Sequence, residues 1–376
     1  MISMKKNYKT IRTICWIIFY LAIIDITINL MFAYPSDPTN TDPSYLQIYF
    51  EYGRSSEGKL YRMTRHTAEE SAPILAYGWL DDERYFSLPN KPLKKNQILV
   101  SVYGMSHTKA LGEAISKCNK NFIIREITAP GAPPNWSFAT YQLDKNRHQT
   151  DVVILGIMTD CVPLISSTSG ATSYFDMSYP YTFPRYLMKE NSLHPFYPPF
   201  FTGDGYRDYF FNDKKWSEYW AWLSRYDKYY DPILFRKTIL DKSSFIRLIR
   251  RAYSETVRRE RISKVYTNQG FNIKSEEVIV LQEMIKEFAQ TAKENNSVPV
   301  IYLVNNLGRS DHLYKALKPV LEVNKIPYLS THIICPPNDP RLYLSTNSHF
   351  ILSKDIELAQ EMIKIIEKEL TTCPRK

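Results

Sequence analysis

In Ile98-Leu99-Val100-Ser101-Val102-Tyr103-Gly104-Met105-Ser106-His107-Thr108 the apolar run Ile98–Val102 leads into a turn with a glycine and a serine. Lys109, Ala110, Leu111, Glu113, Ala114 and Ile115 continue it with residues that suit a helix. A short continuous apolar run closed by a turn reads as a strand buried on both faces, as a parallel sheet requires. A strand that passes directly into a helix puts Ser106 at the carboxyl edge of that sheet. It also puts the serine at the positive end of a helix dipole, where backbone N–H groups lack intrahelical acceptors. Such a position suits a nucleophile and the oxyanion it creates. It equally suits a plain helix N-cap, a role serine favours.

Outward from this stretch the same grammar repeats. Apolar runs occur at Phe122–Ile127, Val152–Ile157, Val298–Val304 and Ile326–Leu329. Helical stripes accompany them: Val278, Leu281, Ile285, Phe288 and Ala292, then Ile356, Ala359, Ile363, Ile366 and Leu370. This alternation predicts an α/β domain with a parallel sheet covered by helices on both faces. Right-handed crossovers then bring every post-strand loop to one edge. Between about 166 and 272 the alternation stops, and the chain fills with Tyr, Phe, Trp and Pro, including Trp216, Trp220 and Trp222. We read this as an insertion that caps the strand edge. Its rings serve mainly as its own small core, with a minority available as a platform for sugar rings or acyl chains.

The N-terminus predicts location. Lys5, Lys6, Lys9 and Arg12 precede an apolar segment, 13–34, whose one charge is Asp25. About 20 residues of this kind cross a hydrocarbon core, and the cationic flank stays in the cytoplasm. We therefore expect 1–12 as a cytoplasmic flank, 13–34 as an uncleaved anchor, 35–96 as linker and N-terminal extension, and 97–372 as an extracytoplasmic α/β domain. A cleaved signal peptide is the rival, although Met31-Phe32-Ala33 is a poor small-x-small site. Asp25 either marks a helix partner or lies at a depth that water reaches.

The net charge of +9 is local. Residues 1–34 carry +3 and residues 236–264 carry +7, which leaves −1 for the rest. Phe245, Leu248, Ile249, Ala252, Tyr253 and Val257 form a stripe in the basic segment, which predicts that the bases line a solvated opposite face. Contact with anionic headgroups or an acidic polymer is the functional reading; nucleic acid is not expected outside the cytoplasm. Cys118, Cys161, Cys335 and Cys373 lack the spacing of a structural zinc site, and no metal or organic cofactor is expected.

A serine nucleophile needs a base from another loop at the same edge. His349, in Ser345-Thr346-Asn347-Ser348-His349-Phe350 ahead of the last amphipathic helix, is placed to accept the serine proton. His107 adjoins Ser106 and is expected to point elsewhere. With these residues the chain resembles the SGNH/GDSL hydrolases. Gly104-Met105-Ser106 stands where that family has Gly-Asp-Ser, with methionine replacing aspartate. Ala129-Pro130-Gly131-Ala132 matches its oxyanion-hole glycine at Gly131. Gly156-Ile157-Met158-Thr159-Asp160 stands for Gly-x-Asn-Asp, with Thr159 at the oxyanion-hole asparagine. Asn347-Ser348-His349 matches an Asp-x-His block with asparagine replacing the acid; in an Asp-x-x-His register the acid position falls on Thr346.

The resemblance covers about 97–165 and 275–370 and implies an SGNH-like parallel sheet carrying a serine esterase. Ser106 would be the nucleophile and His349 the base, with Gly131 and Thr159 in the oxyanion hole; Asn347 stands at the acid position, and a Ser-His dyad or an acid borrowed from elsewhere, such as Asp339, are the alternatives. It implies an acyl ester of a cell-surface carbohydrate or lipid as substrate. An O-acyltransferase acting on envelope polysaccharide with the same residues, and a non-catalytic envelope assembly or binding protein, are the other readings. Gly-Met-Ser-His-Thr also approaches the Gly-x-Ser-x-Gly elbow of α/β-hydrolases, which lies after several strands rather than after the first.

Overall fold

The computed structural model describes residues 2–33, 44–52, 87–173, 181–235, 238–344 and 349–372. Asn347, Thr346, Cys373, the linker up to residue 43 and residues 53–86 lie outside the described residues.

The apolar runs are strands: β1 (Ile98–Gly104), β2 (Phe122–Thr128), β3 (Val152–Met158), then a β4–β5 hairpin (Arg185–Lys189, Ser192–Phe196) and a short β6–β7 pair (Tyr266–Thr267, Gly270–Phe271) in the intervening segment, and finally β8 (Val298–Val304) and β9 (Tyr328–Ser330). Five of them form one sheet in the order β2-β1-β3-β8-β9. Every neighbouring pair in it is parallel. β9 is shorter than its apolar run. Pro327 has no N–H to give a ladder and takes part only through its carbonyl, which accepts from Ile301 N at 2.9 Å.

The long helices are α1 (Ile2–Met31), α2 (Tyr45–Tyr52), α3 (Ser106–Cys118), α4 (Pro134–Asp144), α5 (Gly203–Phe210), α6 (Asp213–Tyr226), α7 (Ser244–Ser263), α8 (Glu276–Glu294), α9 (His312–Val323) and α10 (Leu352–Thr372). Helices α3 and α10 cover one face of the sheet, and α4, α8 and α9 the other. The covered strands are therefore almost wholly buried, which is why they carry continuous Val, Ile and Leu rather than alternation. Gly104 is level with Thr128, and Met158 with Val304, so the loops after β1, β2, β3 and β8 emerge at one edge.

The aromatic segment packs mostly on itself. Phe200, Tyr206, Trp216 and Tyr219 are buried, and ring contacts run from Phe200 through Tyr206, Trp216 and Trp220 to Tyr230. Cys15, Cys118, Cys161 and Cys335 are free thiols.

One expectation is corrected, on α7, where two arginines are buried and part of the apolar stripe is exposed. Its buried residues are Ser244, Arg247, Arg250 and Ser254, whereas Phe245, Ile249 and Tyr253 face outward. Arg247 and Arg250 go inward because acceptors wait there: Arg250 bonds Asp241 and the Ile233 carbonyl, and Arg247 donates to the Asp241 carbonyl at 2.9 Å. Asp25 has a helix partner, the first of its two readings. Its carboxylate accepts from the backbone N–H of Phe245 at 2.8 Å, while Asn29, one turn on, accepts from Ser244 Oγ and Arg247 Nη2 at 3.0 Å each.

A buried charge pair ties α4 to the sheet. Arg125 of β2 donates from Nε and Nη2 to Asp144 at 3.0 and 2.7 Å, and the Tyr103 hydroxyl donates to the same carboxylate at 2.8 Å. Burial, then the Asp144 charge, pushes the Tyr103 phenol well up, so it stays a donor. Removing the acid strands a guanidinium in the core. Asp144→Ala should therefore cost about 3–5 kcal/mol, read as a lowered unfolding midpoint. Replacing the whole network by apolar side chains, as Arg125→Met with Asp144→Leu and Tyr103→Phe, should recover much of that loss.

Candidate active site at the carboxyl edge of the sheet

Strand β1 passes into α3 through one residue. Met105 is the N-cap, with extended backbone (φ −101, ψ −173) and no side-chain capping bond, and Ser106 is the first helical residue. The capping reading of Ser106 is thereby corrected. Its hydroxyl is not used on the helix; Ser106 Oγ lies 2.9 Å from His349 Nε2. The Ser106 N–H belongs to the first turn, whose donors lack intrahelical acceptors.

Packing beneath the serine fixes this turn. Thr108 is fully buried over the ends of β1 and β3. A Cβ on Gly104 would lie 2.3 Å from Thr108 Oγ1, and one on Gly156 only 1.9 Å away. Both positions therefore have to be glycine for α3 to approach the sheet this closely. Met105, standing at the aspartate of the resembled motif, is a core residue with no exposure, and its sulfur accepts the Thr108 hydroxyl at 3.3 Å.

His349 is carried on a narrow bridge ahead of α10. Tyr343 pairs with Phe350, and the His349 carbonyl accepts from Leu344 N at 2.6 Å. The ring is half-buried, and burial holds its pKa below the ordinary value, which leaves it neutral and able to accept a proton at pH 7. His107 does not point away as expected. Its ring stacks on that of His349 with centroids 4.2 Å apart and planes 6° from parallel, and Phe350 meets His107 edge-on. Nothing in the order of residues signals this stack.

Gly131 sits in a turn with φ +59, a left-handed conformation that suits glycine. The turn adjoins the serine, because Ala129 N donates to the Gly104 carbonyl at 3.0 Å. It is held from the other side by the Tyr181 hydroxyl on the Pro130 carbonyl (2.8 Å) and by the Cys161 thiol on the Gly131 carbonyl (3.6 Å). Burial, with Asp160 beside it, pushes the Cys161 pKa up, so this thiol keeps its hydrogen.

Thr159 lies at the same edge, but its hydroxyl proton is spent on the Val304 carbonyl at 3.1 Å. The expectation that this hydroxyl joins the oxyanion hole is corrected on that ground: a hydroxyl has one proton to give. Asn306, at the end of β8, steadies the loop by accepting from Asp160 N at 3.3 Å, and Arg309 binds the Asp160 carboxylate at 2.8 Å. Asp339, one option for orienting His349, has both carboxylate oxygens on Arg341 at 2.8 Å, which holds its pKa down at about 2. Asn347 lies outside the described residues.

Gly156→Ala should force Thr108 aside and cost about 1–3 kcal/mol by overpacking. Adding Thr108→Ala should return part of it, so a double-mutant cycle on unfolding midpoints should show coupling well beyond the sum of the two changes.

No family model matches the sequence, and no curated protein matches it. Solved structures do. A GDSL-like lipase from Bacteroides thetaiotaomicron is 10% identical, with a TM-score of 0.35, over 75% of this chain and 93% of that one. An esterase from Pseudoalteromonas, in a form inhibited by monoethylphosphonate, is 8% identical, with a TM-score of 0.35, over 73% of this chain and 100% of that one. An acetyl xylan esterase is 9% identical, with a TM-score of 0.33, over 71% of this chain and 98% of that one. By its own strand order this chain has an α/β fold built on a parallel five-stranded sheet, with the serine after the first core strand and the histidine ahead of the last helix.

Proposed function

We propose that the protein is a serine-dependent ester hydrolase, anchored by α1 with its α/β domain outside the cytoplasmic membrane, acting on an acyl ester of a cell-surface carbohydrate or lipid. The observation that carries the reading is the 2.9 Å contact between Ser106 Oγ and His349 Nε2 at the head of α3. In the proposed reaction Ser106 Oγ attacks the acyl carbon while its proton passes to His349. The carbonyl π electrons move to oxygen, where the N–H groups of Ser106 and Gly131 receive the charge. Collapse expels the alcohol, which takes the proton from His349. Water then attacks the acyl-serine by the same route in reverse.

The residue that orients His349 in this scheme is Asn347, which lies outside the described residues. Asn347 occupies the acid's place in the sequence and can orient the ring, but an amide does not stabilise the imidazolium as a carboxylate does. The His107 ring, flat against His349, restricts its rotation. The anchor is supported by α1, which presents Ile14, Trp16, Ile17 and Ile18 outward and has a 24-residue apolar stretch, Tyr8–Met31. Protease added to intact spheroplasts should digest the globular part; protection there would reverse the proposed orientation.

A fluorophosphonate should label the wild type and not Ser106→Ala, and Ser106→Ala should abolish hydrolysis of an activated acetyl ester. Labelling that survives Ser106→Ala, or turnover equal in both, would sink the proposal. Activity should fall as pH drops through the depressed His349 pKa, so the acid limb should lie below about 6.5. Asn347→Asp should raise kcat by an order of magnitude or more and move that limb upward, because a carboxylate favours the charged imidazole; the reverse change in a serine triad costs about 10⁴.

A further inference from the structure

The outward apolar stripe of α7, the 3-10 turn before it and the arginine cavity beside it have no part in the ester chemistry. Ile239, Leu240, Phe245, Ile249 and Tyr253 are each at least 41% exposed. On a surface bathed in water this apolar stripe would face the core, and Arg247 and Arg250 would face out. The position of α7 relative to α1 gives the reason. Its first turn is hydrogen-bonded to Asp25 and Asn29, and Asp25 lies about 9 Å inside the end of α1 at 1.5 Å per residue. Further along, the Arg251 guanidinium covers the Tyr49 ring of α2 at 5.0 Å. Helix α2 in turn sits at the exit of α1, where Phe50 stacks on Phe32 at 5.3 Å and Gln47 bonds the Ala33 carbonyl at 2.8 Å. So α7 starts at the depth of Asp25 and reaches the end of α1 by Arg251. There Tyr49, Arg251, Arg258 and Arg261 line a cavity of about 530 Å³, with Leu248 and Glu255 also in its wall.

We propose that residues 239–253 are immersed in the outer leaflet beside α1, with the apolar stripe among acyl chains, and that the arginine cavity holds the phosphate of an anionic phospholipid. The three arginines against one glutamate supply the charge, and continuity with the apolar surface of α1 supplies the occupant. This rests on α1 being a retained membrane span. It gives that span a structural role: Phe245 N, Ser244 and Arg247 find acceptors on it.

The test uses the full chain in nanodiscs of phosphatidylcholine and phosphatidylglycerol. Phe245→p-benzoylphenylalanine, and separately Ile249→p-benzoylphenylalanine, should give lipid adducts by mass on irradiation. Phosphatidylglycerol should be retained on the protein above its bulk fraction, and Arg251→Gln should reduce that enrichment about fivefold. If alkaline carbonate releases the wild-type chain from membranes, this inference and the anchor both fall. If the chain stays in the membrane but neither position captures lipid, or both capture a second copy of the protein, the immersion of α7 is overturned and the anchor stands. Lipid adducts with retained lipid at bulk composition would overturn the headgroup site.

Discussion

Thr108 fits over the ends of β1 and β3 because residues 104 and 156 have no side chain, and this close approach sets where α3 begins. The rest of the edge is referred to it. With the first turn of α3 lowered onto the sheet, Met105 is drawn into the core and Ser106 is left at the rim. The Gly131 turn is then joined to β1 through Ala129, and the His349 bridge reaches the serine from the far side of the chain. The glycine-serine pair at 104 and 106 and the glycine at 156 therefore belong to one packing unit, although they sit in separate stretches of sequence.

Much of this is legible in the sequence. Buried parallel strands advertise themselves, since both faces must be apolar, and the four long runs match their strands to within two residues at either end. Ser106 and His349 are legible for a related reason, as residues at a strand-to-helix junction and just ahead of a helix fall at a predictable edge. What escapes is long-range and polar. The destination of the Thr159 hydroxyl is a carbonyl in β8, and the partner of Asp25 is a backbone N–H in α7. Neither can be read from neighbours in sequence. The face of α7 reads backwards for another reason. Periodicity gives the stripe but not which side of the helix finds acceptors, and Asp241 and the Ile233 carbonyl draw Arg247 and Arg250 inward.

The site also shows how substitutions at motif positions differ in weight. Methionine at 105 is a core side chain whose sulfur accepts the Thr108 hydroxyl. Threonine at 159 turns a donor inward to a strand carbonyl. Asparagine at 347 lies outside the described residues, and its weight belongs to the proposed mechanism alone.

The self-contained aromatic cluster has a kinetic consequence. Pairing β3 with β8 requires the chain to close across everything between Met158 and Val304, and that closure grows costlier with the length of free chain. If the rings from Phe200 to Tyr230 collapse among themselves first, they shorten that free length by about a fifth, which returns about 0.2 kcal/mol to the closing step. The segment would then act as a folding clamp: loosening its core by a single ring should slow formation of a sheet that the ring never touches.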